Sequence, residues 1–152
     1  MSKVKSRSSA LAIALALMAA PHAKAEDYVV LVNAANDFVG SADDIKTALR
    51  TIFLKEKTSW PNGVDAIPLG PSAGDPAYET FVNTVLGMTP QEVEAHFIRL
   101  KQIKGETPPR EVGSARILMR TVGKQEGAFG IATKADAADL AEGVRVLFEF
   151  SG

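Results

Sequence analysis

Beyond residue 25 the chain offers one histidine, His96, and it has no cysteine at any position. Metal centres of the His/Cys type need several such ligands converging on one ion, so the sequence points to no metal site and to no cofactor. A Ser-His-Asp set would have to run through His96, which lies in a helical stretch beside Phe97, and no G-x-S-x-G elbow is present. The acids Asp43 with Asp44, and Glu92 with Glu94, fall at helix starts. There they complement the helix dipole instead of facing one another as acid and base. The chain is therefore expected not to be an enzyme, and the chemistry left to it is binding. Gly70 to Asp75, GPSAGD, feeds a helix start and offers backbone N–H groups beside a positive dipole end, an arrangement that holds small oxyanions. Ser72 and Gly74 are the candidate donors, with Asn33 and Asn36 as candidates across the rim. A plain capped turn is the competing reading of the same residues. Asp75 supports it, because its own carboxylate would satisfy the donors that an anion needs.

The elements that must position this loop can be read from spacing. Ser41 is placed to cap a helix, with Asp43 and Asp44 in its first turn and Ile45, Ala48, Leu49, Ile52 and Phe53 as one apolar stripe. Trp60-Pro61-Asn62-Gly63 ends it in a turn. Ahead of that helix, Tyr28 to Val32 is a continuous apolar run, which reads as a strand buried on both faces, as in a parallel sheet. Val64 to Leu69 is a second strand candidate, with Pro68 placing it at an edge or a strand end. Asp75-Pro76 opens a helix with Tyr78, Phe81, Val82, Val85 and Leu86 inward, ended by Gly87. Thr89-Pro90-Gln91-Glu92 is a capping box for a helix facing inward with Val93, His96, Phe97, Leu100 and Ile103. Ser114 caps another, with Ile117, Leu118 and Val122 inward. Gly127 to Ala132 is a strand whose glycines call for close backbone approach, Ala135 to Glu142 is a short helix, and Val144 to Phe150 is a last, alternating strand. Strands alternate with helices, so the class is α/β, with a short, mostly parallel sheet flanked by helices.

The first 25 residues stand apart. Lys3, Lys5 and Arg7 precede the apolar run Ala10 to Ala20, and Ala23-Lys24-Ala25 fits a small-x-small cleavage site. Residues 1–25 are read as a signal peptide cut before Glu26, and residues 26–152 as one domain. The product is expected in the periplasm or outside the cell, with no stable membrane anchor; an uncleaved amphipathic anchor is the alternative. Removing Lys3, Lys5, Arg7 and Lys24 from the 17 basic residues leaves 13 against 18 acidic ones, a net charge of −5. That balance argues against nucleic acid or an anionic membrane as partner.

Several stretches, in order, resemble the phosphate-type periplasmic substrate-binding proteins. VVLVNAAND resembles that family's strand and Asn-x-x-Asn loop, and IFLKEKTSWPNG its helix end and Trp turn. IPLGPSAGDPAYETFVNTVLG, TPQEVEAHFIRLKQIKGETPP and GAFGIAT follow in the family's order. The resemblance implies one lobe of a type 2 periplasmic binding fold. It also implies a non-catalytic role in uptake or sensing of phosphate or another oxyanion, alongside an ABC permease or a second copy of the chain. The departures bear on function. Lys55 stands where the family usually has Gly, and Ile131 where it has Tyr. Gly70 stands near the family's phosphate-binding Arg, and Gly74-Asp75-Pro76 where it has Ser-Gly-Thr. The resemblance does not extend to a first lobe with a second phosphate loop. The alternative role is a ligand-free module that docks a partner protein or a second copy. Intact-mass measurement of the protein from the cell envelope should show a chain starting at Glu26; retention of Lys3 would overturn the leader assignment.

Overall fold

The computed structural model describes residues 25–152. The leader assigned to residues 1–25, apart from Ala25 itself, lies outside the described residues. The strands are β1 (Asp27–Asn33), β2 (Ile67–Gly70), β3 (Arg110–Glu111), β4 (Ala128–Thr133) and β5 (Val144–Ser151). The helices are α1 (Ala42–Phe53), α2 (Pro76–Phe81), α3 (Pro90–Lys104) and α4 (Ala115–Lys124). The strands form one sheet in the order β3-β2-β4-β1-β5. The α/β class and the short, helix-flanked sheet hold. The pairing is mixed, which corrects the expectation of a mostly parallel sheet: β2 runs parallel to β3 and β4, whereas β1 runs antiparallel to β4 and β5.

The reason lies in β1. Its run from Tyr28 to Asn33 is buried throughout. Tyr28, Val30 and Val32 face the larger core, built with α1, α2 and the start of α3, while Val29 and Leu31 face a second core against α4. Helices on both faces exclude water from both sides of the strand, whatever the direction of its neighbours. Continuous hydrophobicity thus reports the layering of the fold and not the polarity of the pairing.

The caps stand where the sequence puts them. The Ser41 hydroxyl accepts from Asp44 N at 3.2 Å, and Ser41 N donates to the Asp44 carboxylate at 3.1 Å. The Ser41 hydroxyl also donates to the Asp44 carboxylate at 2.7 Å, and this bond, followed by the one from Ser41 N, holds Asp44 below the usual carboxylate range. Thr89 and Glu92 make the same reciprocal box on α3. The helix expected from Pro76 to Leu86 is α2 continued by a π-helical turn, Val82–Leu86, closed by Gly87 at φ 64°. Arg50 of α1 donates to the Leu86 carbonyl. Lys55 follows α1 in the left-handed region at φ 57°, the only non-glycine there among the described residues.

Other expectations need correcting. β2 begins later than expected, because Thr58 to Ala66 spend their hydrogen bonds in a closed turn: Trp60 N donates to Val64 O and Ala66 N to Thr58 O. Pro68 pairs only with β4, near the start of β2, so the reading of an edge or strand end holds for it. Ile67 N donates toward β4, so the alternation of the strand turns the proline nitrogen to the other side, ahead of where β3 begins. On α3 Ile103 is exposed, because only the first turns of that helix reach the core; on α4 Met119 replaces Ile117 inward. Ala135 to Glu142 forms only a 3-10 turn, Asp136–Ala138, since its remaining residues bring no apolar face to bury. The glycines in β4 and just before it act as expected. A Cβ at Gly130 would collide with Leu118 of α4, and one at Gly127 with the Asp65 carbonyl.

Phe53 is buried and meets Phe81 edge-on at 5.2 Å. Phe53→Ala should lower unfolding stability by about 3–5 kcal/mol, and Thr47→Ala, on the exposed side of α1, by less than about 0.5 kcal/mol. Equal urea midpoints for the two variants would contradict the assignment of the stripe.

Candidate functional site

The loop from Gly70 to Asp75 leaves the C-terminal end of β2 and enters α2. Gly70 packs against the Phe53 ring, where an added Cβ would come within 3.5 Å. Asp75 N donates to Ser72 O at 2.8 Å, which closes the loop on itself. The Asp75 carboxylate accepts from Ala77 N at 2.9 Å as the N-cap of α2. Pro76, the first helical residue, has no N–H. The side-chain cap therefore takes the donor nearest the helix end. The amides of Ala73 and Gly74 make no hydrogen bond among the described residues, and the two residues are exposed. These amides and the Ser72 hydroxyl are what the loop can still offer a ligand.

Beside the loop a cleft of about 360 Å³ opens against α3 and the segment before β3. Phe53, Tyr78, Phe97, Pro108 and Pro109 form much of its wall, and its charged lining residues are Glu94 and Glu111. Burial raises the Tyr78 phenol above its ordinary range, and the charges of Glu111 and then Glu94 push it further in the same direction. Both carboxylates thus act on the same hydroxyl, and the field next to the loop is negative. Asp75 adds to it and helps raise Tyr28, whose shift comes first from burial and then from Glu26.

Asn33 and Asn36 lie elsewhere. Val32 of β1 pairs with Phe129 at the start of β4, and β2 starts at the same level, with Ile67 opposite Ala128. The turn after β1 therefore sits at the end of the sheet where β2 begins. Ser72 and Gly74 lie past the other end, about 10 Å of strand away. The structure keeps Ser72 with Gly74 and does not bring the two asparagines to them. Both asparagines are buried and hold the chain together locally. Asn33 donates to Val122 O and accepts from Ala35 N, each at 2.8 Å. The Asn36 side-chain oxygen accepts from Phe38 N and from Asn62 Nδ2, and its carbonyl accepts both Arg145 Nε and Nη2. Asn36 Nδ2 is buried without a partner among the described residues. His96 Nε2 lies 2.8 Å from Leu54 O and packs edge-on to Phe97, as a positioned helix residue. Among the described residues no group of three His, Cys, Asp or Glu side chains could hold a metal ion, and no helix is long and apolar enough to cross a membrane.

No protein-family model and no curated protein sequence matches the chain. Solved structures do. An ABC-type phosphate transport receptor from Vibrio cholerae superposes with a TM-score of 0.55 at 14% identity, over 81% of this chain and 46% of its own. PstS from Borrelia burgdorferi superposes with a TM-score of 0.57 at 10% identity, over 81% of this chain and 47% of its own. The chain has the fold of one lobe of a phosphate-binding protein. It spans less than half the length of the structures it matches.

The sequence reading has Tyr78 on a helix face and Glu94 at a helix start and does not name Glu111, so it does not bring the three together at the cleft. Their meeting depends on how α3 and the segment before β3 return to α2, and no local pattern carries that. Asn36→Ala strands the Phe38 amide, Asn62 keeping its bond to Asp37, and should cost about 1–3 kcal/mol, while phosphate titrations stay as in the wild type. A stable variant with altered phosphate binding would restore Asn36 to the site.

Proposed function

We propose that the chain is a non-catalytic, substrate-binding-like component of a system that takes up or senses phosphate or another oxyanion, working in the periplasm after removal of its leader. The single-lobe fold shared with phosphate receptors supports this reading. So do the free amides of Ala73 and Gly74 beside the Ser72 hydroxyl at the C-terminal end of β2. Asn33 and Asn36 contribute by fixing the chain, not by touching ligand. An ABC permease or a second copy is the partner that such a lobe calls for.

A second reading has its own observation. Asp75, Glu94 and Glu111 surround the loop and its cleft with negative charge, which suits a ligand-free lobe that docks another protein. The magnitudes separate the two. Like charges about 4 Å apart repel by about 4 kcal/mol at an effective dielectric near 20, whereas a helix end returns at most about 2 kcal/mol. The wild-type lobe should therefore hold phosphate with a Kd that is roughly millimolar or weaker. Asp75→Asn keeps a capping oxygen for Ala77 N and removes the charge, so it should tighten phosphate and sulfate binding with little change in stability. Calorimetric titration of both proteins decides. A gain supports the oxyanion site, and no binding by either protein leaves docking as the function.

A further inference from the structure

A second concavity lies apart from the β2–α2 loop and carries the opposite charge. It runs along the exposed side of β2, between the end of α1 and α4, with a volume of about 420 Å³. Ile67, Pro68 and Pro109 lie in its floor, and Ile67 keeps 38% of its surface exposed although it belongs to the sheet. Lys55, Lys57 and Arg110 line it as well, against a single carboxylate, Glu106. The groove is thus locally cationic on a chain whose residues beyond the leader carry a net charge of −5. Glu106 meets Lys55 at 3.3 Å, and both side chains retain exposure, so this pair is weak enough to open for a competing anion.

We propose that this groove binds organic anions with an apolar body, such as medium-chain carboxylates or aryl phosphates. The volume fits one small ligand, and sites of this kind combine apolar walls with a few charged groups that fix orientation. An inorganic oxyanion would leave the apolar floor wet, and a neutral apolar molecule would leave Lys57 and Arg110 without a counterion. An amphiphilic anion satisfies both surfaces. Lys55 supplies a further mark of the site. Its left-handed backbone at φ 57° suits glycine far better than lysine, so the position gives up stability where it gains an ammonium group over the groove.

The test is calorimetric titration of the full chain with octanoate and phenyl phosphate, against inorganic phosphate and octylammonium at equal ionic strength. Octanoate and phenyl phosphate should bind at least about tenfold more tightly than either comparator. Lys57→Ala/Arg110→Ala should weaken them about tenfold or more. Lys55→Gly should weaken them several-fold while its melting temperature stays level or rises by a few degrees. Asp75→Asn should leave the octanoate affinity unchanged, so the groove can fail or succeed independently of the oxyanion loop. Absence of octanoate binding, octylammonium binding as tight as octanoate, or wild-type affinities in the lysine and arginine variants would overturn the proposal.

Discussion

A strand that is covered on both faces and paired on both edges has no freedom left, and β1 is in that position. Its neighbours β4 and β5 take its backbone groups, and its alternate side chains enter two separate cores. Everything else is arranged to make this burial complete. The α1 stripe and α2 cover one face; α4 covers the other and comes close enough to fill the space that Gly130 leaves open. The irregularity opposite Val30 and Leu31 lies in β5, where Leu147 is left out of the pairing, so β1 keeps its own alternation between the two cores. The turn after β1 cannot wander either, because Asn33 is tied to α4 through Val122 O and Asn36 to β5 through Arg145.

The loop at the far end of β2 depends on a smaller fastening. β2 is only four residues long; its first two residues pair with β4 and its last two with β3. The Gly127 carbonyl accepts both Ile67 N and Trp60 Nε1, each at 2.9 Å. The Trp60 ring is itself held between Phe38 and Phe129. One carbonyl thus sets the start of β2 and the closed turn before it. Because Asp65 presses on Gly127, no other residue fits there without moving the turn. The Gly70 to Asp75 loop inherits its position from that point.

How much of this was legible follows from what is local. Caps were readable at Ser41, Asp75, Thr89 and Ser114, since each depends on a few adjacent residues. The α1 stripe was readable because five side chains repeat one spacing. The lysine in a glycine's place was visible at Lys55, and its left-handed backbone explains why the place favours glycine. Strand direction was not legible, since burial of Val29 to Val32 looks the same beside parallel and antiparallel neighbours. The grouping of Asn33 and Asn36 with Ser72 and Gly74 failed for the same reason. It took the C-terminal ends of β1 and β2 to lie on one rim, and antiparallel pairing of β1 puts them at opposite ends of the sheet. The short β3 and the acidic cleft depend on the return path of the chain after α3, which no spacing encodes.

The entrance to α2 shows a helix end that satisfies its own donors. A helix start has a fixed set of unpaired donors, and either a ligand or the chain itself must satisfy them. Here Pro76 removes one donor and Asp75 takes another. The α-helix that follows is six residues long before it widens into the π turn, so few aligned peptide dipoles stand behind that end. A side-chain cap is permanent and needs no ligand in solution, and it stabilises the helix by about 1 kcal/mol whether or not an anion is present. The same carboxylate raises the energy of any anion placed next to it. Capping of the helix and room for an anion would therefore compete at one residue, and the Asp75 carboxylate favours the cap.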